Sequence, residues 1–236
     1  VYKRQAVGSG SALGTFIITN SGGTTFSSTL DAAAVVLTNT TGAITFNDNT
    51  TITSATGLVT AAQGYDVVFN GTTNTIAGIT TFYNSGTVTL GNDAGDTTTF
   101  TAGLTATAPL QVNIAGTVQS TNTAISIGDS GTPTVLTANT IISAGTGAIT
   151  LGGTVNGAFT LNINTTGATT LSGVVGGIGT ALTSLTTNTG GTLAINTTAI
   201  STTGAQSYGE NVTLGADVTL ASSGSGNISF SGTIES

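Results

Sequence analysis

The chain has 236 residues and a formal net charge of −7, with nine acidic and two basic residues, 35 glycines, two prolines, and no Cys, His, Met or Trp. Both basic residues, Lys3 and Arg4, lie at the extreme start, so residues 5–236 carry no cation. That excludes nucleic acid as a partner, because Lys and Arg contacts to phosphate dominate such affinity. The absence of His and Cys removes triad, thiolate, haem and ordinary zinc chemistry, leaving scattered carboxylates and tyrosines.

Hydrophobic residues make up 38% of the chain, mostly Val, Ile, Leu and Ala, which argues against disorder. No apolar run approaches the eighteen or so residues of a membrane span. An acidic, Cys-free composition fits a bacterial protein that lives at the cell surface or outside the cell and uses no disulfides.

In chain order, the prefix Val1-Tyr-Lys-Arg-Gln is unlike all that follows. It is read as non-native, and it lacks the charged-then-apolar pattern of a signal peptide. Residues 6–236 read as one repeat region without a linker, an internal fragment of a larger protein. The segment Leu30 to Leu37, containing Ala32-Ala-Ala-Val-Val-Leu, leaves a strand and a short helical turn both open. Gly42-Ala-Ile-Thr-Phe, Gly64-Tyr-Asp-Val-Val-Phe and Gly86-Thr-Val-Thr-Leu then begin 22 residues apart. Between the first two, Asn47-Asp48-Asn49 reads as a β-corner. Gly91-Asn-Asp-Ala-Gly-Asp places Asp93 and Asp96 in a spacing similar to calcium loops, since hard cations need clustered oxygens. It is not repeated, so a plain turn is the preferred reading. Leu104 to Pro133, with Pro109 and Pro133 near its edges, breaks the period and is expected to hold a loop or irregular coil.

Roughly the C-terminal 40% of the chain repeats itself. Thr140 to Gly157 matches Thr219 to Ser236 at an offset of 79, and Gly147-Ala-Ile-Thr-Leu recurs 20 residues on as Gly167-Ala-Thr-Thr-Leu. The long repeat therefore reads as roughly four short ones. Within each unit apolar residues alternate, as in Ile149 and Leu151 or Ile228 and Phe230, which puts one set inward and Thr, Ser and Asn outward. Gly, Thr, Asn and Ser in such numbers disfavour helix. The predicted fold is all-β, a parallel β-helix (β-solenoid) of about 20–22 residues per coil. Roughly eleven coils stacked at about 4.8 Å make a rod of about 50 Å.

Candidate sites are few. Asp31, Asp48, Asp66, Asp129, Glu210 and Asp217 show no spacing that would face two carboxylates across a cleft. Asn-x-Ser/Thr triplets at Asn39, Asn49, Asn70, Asn164, Asn196, Asn211 and Asn227 arise from composition and are glycosylated only where a host supplies the machinery. Phe46, Phe69, Phe159 and Phe230 are core candidates, while Tyr65, Tyr83 and Tyr208 are candidate exposed platforms for sugar rings. Thr51-Ile-Thr53 and Thr87-Val-Thr89 raise ice binding, but such pairs do not recur in register along the sequence.

From Gly145 to Ser236 the chain resembles the long repeat tracts of filamentous-haemagglutinin-like and autotransporter-type adhesins. The residues that carry this are Gly147-Ala-Ile-Thr-Leu-Gly-Gly-Thr-Val-Asn-Gly, the stretch Thr202 to Leu220, and Gly226-Asn-Ile-Ser-Phe-Ser-Gly-Thr-Ile. The resemblance implies a right-handed parallel β-helix outside the bacterial cell, exported by a two-partner or autotransporter route and serving attachment, aggregation or biofilm. It carries over no catalytic, cofactor or metal residues. The expected function is that of a structural and adhesive stalk, not an enzyme and without a cofactor. Its partners would be adjacent repeats, host or cell-surface glycans, or other copies of itself. The alternative is a self-assembling extracellular filament or matrix subunit.

Overall fold

The computed structural model describes residues 6–177 and 180–236, so the prefix Val1 to Gln5 lies outside the described residues. Strands run from two residues (Leu58–Val59) to twelve (Thr134–Gly145), and no helix occurs among the described residues. They are short because Gly, Asn or Asp interrupts the alternation every few residues, and such residues turn the chain at little steric cost. Each strand pairs in parallel with the strand one turn later, generating a β-solenoid of about ten turns. At a strand spacing of about 4.8 Å the stack is roughly 48 Å long.

The pairing defines three faces. The first runs through Thr24–Phe26, Ile44–Phe46, Val67–Phe69 and Thr87–Leu90. The second runs through Thr50–Ile52, Thr73–Ile76, Thr97–Phe100 and on to Ile228–Phe230. The third runs through Leu58–Val59, Thr80–Thr81, Leu104–Ala106 and on to Ile234–Glu235. The expected period holds with slippage. Thr24 pairs with Ile44, Ile44 with Val67 and Val67 with Val88, steps of 20, 23 and 21 residues. The extremes are 19, from Leu193 to Val212, and 25, from Val175 to Ile200.

The 79-residue repeat is not four turns. Ile149 lies on the third face and its match Ile228 on the second, while Val155 lies on the first and its match Ile234 on the third. The offset stops one face short of four turns. All three faces carry the same inward alternation, so a sequence match aligns any face with any other.

One open alternative closes and one expectation is met only in part. Leu30–Thr38 is one nine-residue strand, not a helical turn. It bends from the second face to the third at Ala34 and Val35, which are both buried. Leu104 to Pro133 keeps Leu104–Ala106, Gln111–Gln119 and Ile125–Ile127 in register with their neighbours, and its loop is a tight turn from Asp129 to Thr132, exposed at its tip and closed by an antiparallel bridge. Its irregular appearance comes from a corner inside Gln111–Gln119, where the register shifts between Ile114 and Gly116. Gly116 has φ +71 there, and a Cβ would come within 2.3 Å of the Asp96 carbonyl oxygen, so only Gly fits.

The core is a set of ladders along the axis. Phe26, Phe46 and Phe69 stack at centroid separations of 5.1 and 4.7 Å with nearly parallel planes. Leu90, Ile114 and Leu136 continue the same row. Phe159 and Phe230 pack at the margin of the core. Asn74 occupies an inward position on the second face. It is satisfied there: the Thr50 N–H donates to its Oδ1 (3.2 Å), and its Nδ2 donates to the Gly71 carbonyl (2.8 Å) and the Thr98 hydroxyl (3.3 Å). A fully paired buried amide of this kind fixes the register of adjacent coils.

Candidate functional site

The carboxylates are spread over corners of different turns, and most are occupied by local backbone donors. Asp48 accepts from the Asn49 N–H (2.7 Å), Asp66 from Thr87 in the next turn (2.7 Å), and Asp129 from Gly131 (2.7 Å). Asp31 lies within Leu30–Thr38, and Asp217 lines a recess beside Leu214, Val218 and Ser236. No two of them are brought together as an acid and base pair.

The candidate calcium loop is a turn held by its own carboxylates. The buried Asp96 takes the N–H groups of Asn92 (2.8 Å) and Asp93 (3.0 Å) on one oxygen, and Asp93 takes that of Gly95 (3.0 Å). These bonds engage one oxygen of each carboxylate within the turn itself. Among the described residues no group of three or more His, Cys, Asp or Glu side chains converges as a metal site. Adding calcium or a chelator should therefore leave the thermal midpoint unchanged in a melting experiment monitored by circular dichroism.

Several of the asparagines in Asn-x-Ser/Thr triplets tie one turn to the next. The Asn39 amide donates to Asn20 and accepts from Gln63 (3.0 Å), Asn70 donates to Asn47 (3.0 Å), and Asn49 and Asn211 accept the N–H groups of Thr73 (2.9 Å) and Thr233 (3.0 Å). A glycan on Asn39, Asn49, Asn70 or Asn211 would break these bonds, whereas Asn164, Asn196 and Asn227 are exposed.

Two of the three candidate tyrosines are not on the surface. Tyr65 and Tyr208 are fully buried, and burial raises both phenol pKa values above the ordinary 10. The Tyr65 oxygen accepts the Ala61 N–H (2.9 Å), and the Tyr208 hydroxyl donates to Gln206 (2.8 Å). Alternation already placed both inward, since Tyr65 shares the parity of Val67 and Phe69 and Tyr208 that of Val212. Tyr83, by contrast, is 55% exposed. Every other described aromatic is buried or half-buried.

Threonine pairs recur in register where the sequence reading found none. Thr73 and Thr75 lie directly over Thr97 and Thr99 on the second face, and Thr51 and Thr117 extend the two columns. The pairing is lost by the next turns, where Gln119 and Ile141 take these positions.

Tyr83 stands beside a shallow recess of about 170 Å³ on the third face. Leu58, Val59 and Ile79 form its apolar surface, and Thr56, Thr60 and Thr81 its polar rim. The Tyr83 backbone is pinned to the preceding turn, its N–H donating to the Thr60 hydroxyl (2.7 Å), which in turn donates to the Thr81 carbonyl (3.1 Å). No charged side chain lines this recess.

Compared with family models, curated proteins and solved structures, the chain matches none of them.

Proposed function

We propose that this chain is a structural and adhesive repeat segment, a stalk, of a large secreted or surface-attached bacterial adhesin, and that it performs no catalysis. The observation that carries the reading is the parallel pairing of turn on turn along three faces, which makes a rod. Between Thr51 and Ser229 the outward rows of the second face hold Thr, Ser, Asn, Gln and Ile with no charge. A rod of this kind holds a binding region away from a cell, and weak contacts repeated along a neutral polar face sum by avidity. Five of the carboxylates, Asp48, Asp66, Asp93, Asp96 and Asp129, fit the same reading, since each accepts a backbone N–H at a corner.

The test is attachment. Polystyrene beads coated with the purified chain should bind to cultured epithelial cells or to a bacterial lawn more than albumin-coated beads do, and soluble chain should compete. Beads that attach no better than the albumin control would overturn the adhesive reading. Fibres of constant width in the same preparation would favour a self-assembling filament instead.

A further inference from the structure

We propose that the recess beside Tyr83 is a binding site for one ring of a neutral saccharide. This rests on the adhesive reading and names the ligand class for one site on the rod. Among the described aromatics Tyr83 alone is exposed, in a chain whose other rings fill the core, so packing does not explain its position. Ile79 is 68% exposed and Val59 38% exposed beside it, producing an apolar wall and floor on an otherwise hydroxyl-bearing surface. A pyranose is amphipathic in the matching way. Its axial C–H groups pack on an aromatic face and aliphatic neighbours, while its hydroxyls point sideways toward polar rims. Thr56 and Thr81 supply that rim, and the Tyr83 ring supplies the face.

Charge sets the class. The lining holds no cation, and residues 5–236 contain none, so a uronate, sialylated or sulfated ring would enter without a counter-charge and against the acidic field of the protein. A neutral hexose or N-acetylhexosamine incurs no such penalty. The site is also pre-organised, because the Thr60 bond to the Tyr83 N–H fixes the backbone segment that carries the ring. A rigid platform loses little conformational entropy on binding.

The experiment is saturation-transfer NMR and array binding with lactose, N-acetyllactosamine, maltotriose and chitotriose, beside sialyllactose and a sulfated disaccharide as charged probes. The expected result is binding of at least one neutral saccharide, weakened about tenfold or more by Tyr83→Ala and nearly unchanged by Tyr83→Phe. Thr25→Ala, on the first face, serves as a surface control. Circular dichroism and the melting temperature establish that each variant is folded. Absence of neutral saccharide binding, binding of only the charged probes, or equal binding by Tyr83→Ala overturns the site. Bead attachment separates the two readings. Beads that adhere while no neutral saccharide binds sink the site and leave the stalk, whereas saccharide binding without attachment keeps the site and sinks the stalk.

Discussion

Phe46→Ala lowers the unfolding free energy by about 3–5 kcal/mol. Phe46 is fully buried and stacked on both sides, by Phe26 at 5.1 Å and by Phe69 at 4.7 Å. Removing its ring opens a cavity that neither neighbour can fill, because each is fixed by the hydrogen-bonded register of its own strand. The consequence extends beyond one residue. In a solenoid each turn contacts only its neighbours, so a weakened interface uncouples the turns on either side. Denaturant unfolding followed by circular dichroism should show a shifted midpoint, and limited proteolysis should release the turns before Ile44 first. Phe46→Leu keeps much of the volume and should cost less than about 1.5 kcal/mol. An alanine variant as stable as the parent would contradict the stacked core.

Glu210→Gln stabilises the chain near neutral pH by about 1–3 kcal/mol, because it removes a buried charge that nothing compensates while its amide oxygen keeps the Thr187 bond. Glu210 is buried at the corner between the second and third faces. The Thr187 hydroxyl donates to its Oε2, and Oε1 has no partner. The Thr187 oxygen also receives the Gly209 N–H (3.2 Å). No cation among residues 5–236 can compensate the carboxylate. Burial therefore raises its pKa above the ordinary 4.5, more than the Thr187 bond and its own backbone N–H lower it. For a raised carboxyl the contribution to stability is full below the unfolded-state value and is lost as pH rises through the folded-state one. The difference between variant and parent should accordingly appear above roughly pH 4.3 and vanish below it. Thermal midpoints measured from pH 3 to pH 8 check this. A variant that is less stable at pH 7, or that tracks the parent at every pH, would contradict the assignment.

The fold was legible because two signals agree: an alternation of period two, and Gly or Asn corners that cut it every few residues. Phe46 and Phe69 could be placed in the core on those signals alone. Corners inside a continuous strand were harder to see. At Ala34 and Val35, and again at Ile114 and Ala115, consecutive residues are buried because the chain turns between faces there. Such a run breaks alternation and imitates a helix or an irregular segment. Register was not legible either, since the three faces share one pattern and the 79-residue match joins residues of different faces. Gln206 and Glu210 are buried in the same parity as Tyr208 and Val212, which their polarity argued against. Tyr83 could be named from the sequence as an exposed ring, but its recess could not. Val59 and Ile79 reach it only because Val59 pairs with Thr81 across one turn.

The stacking of turns is most directly measured by distances between paired spin labels, which a chain without cysteine permits at chosen sites. Thr97 lies at one end of an outward row that runs through Thr117, Ile141, Asn162 and Thr186 to Ser207, one position per turn. With Thr97→Cys as the fixed label, a second label placed by Ile141→Cys, Asn162→Cys, Thr186→Cys or Ser207→Cys should give narrow distributions. Their centres should rise by about 4.8 Å per turn, so that labels 110 residues apart in sequence, at 97 and 207, lie only about 24 Å apart along the axis. Distances that are broad, or that do not increase in this order, would contradict the solenoid and the stalk built on it.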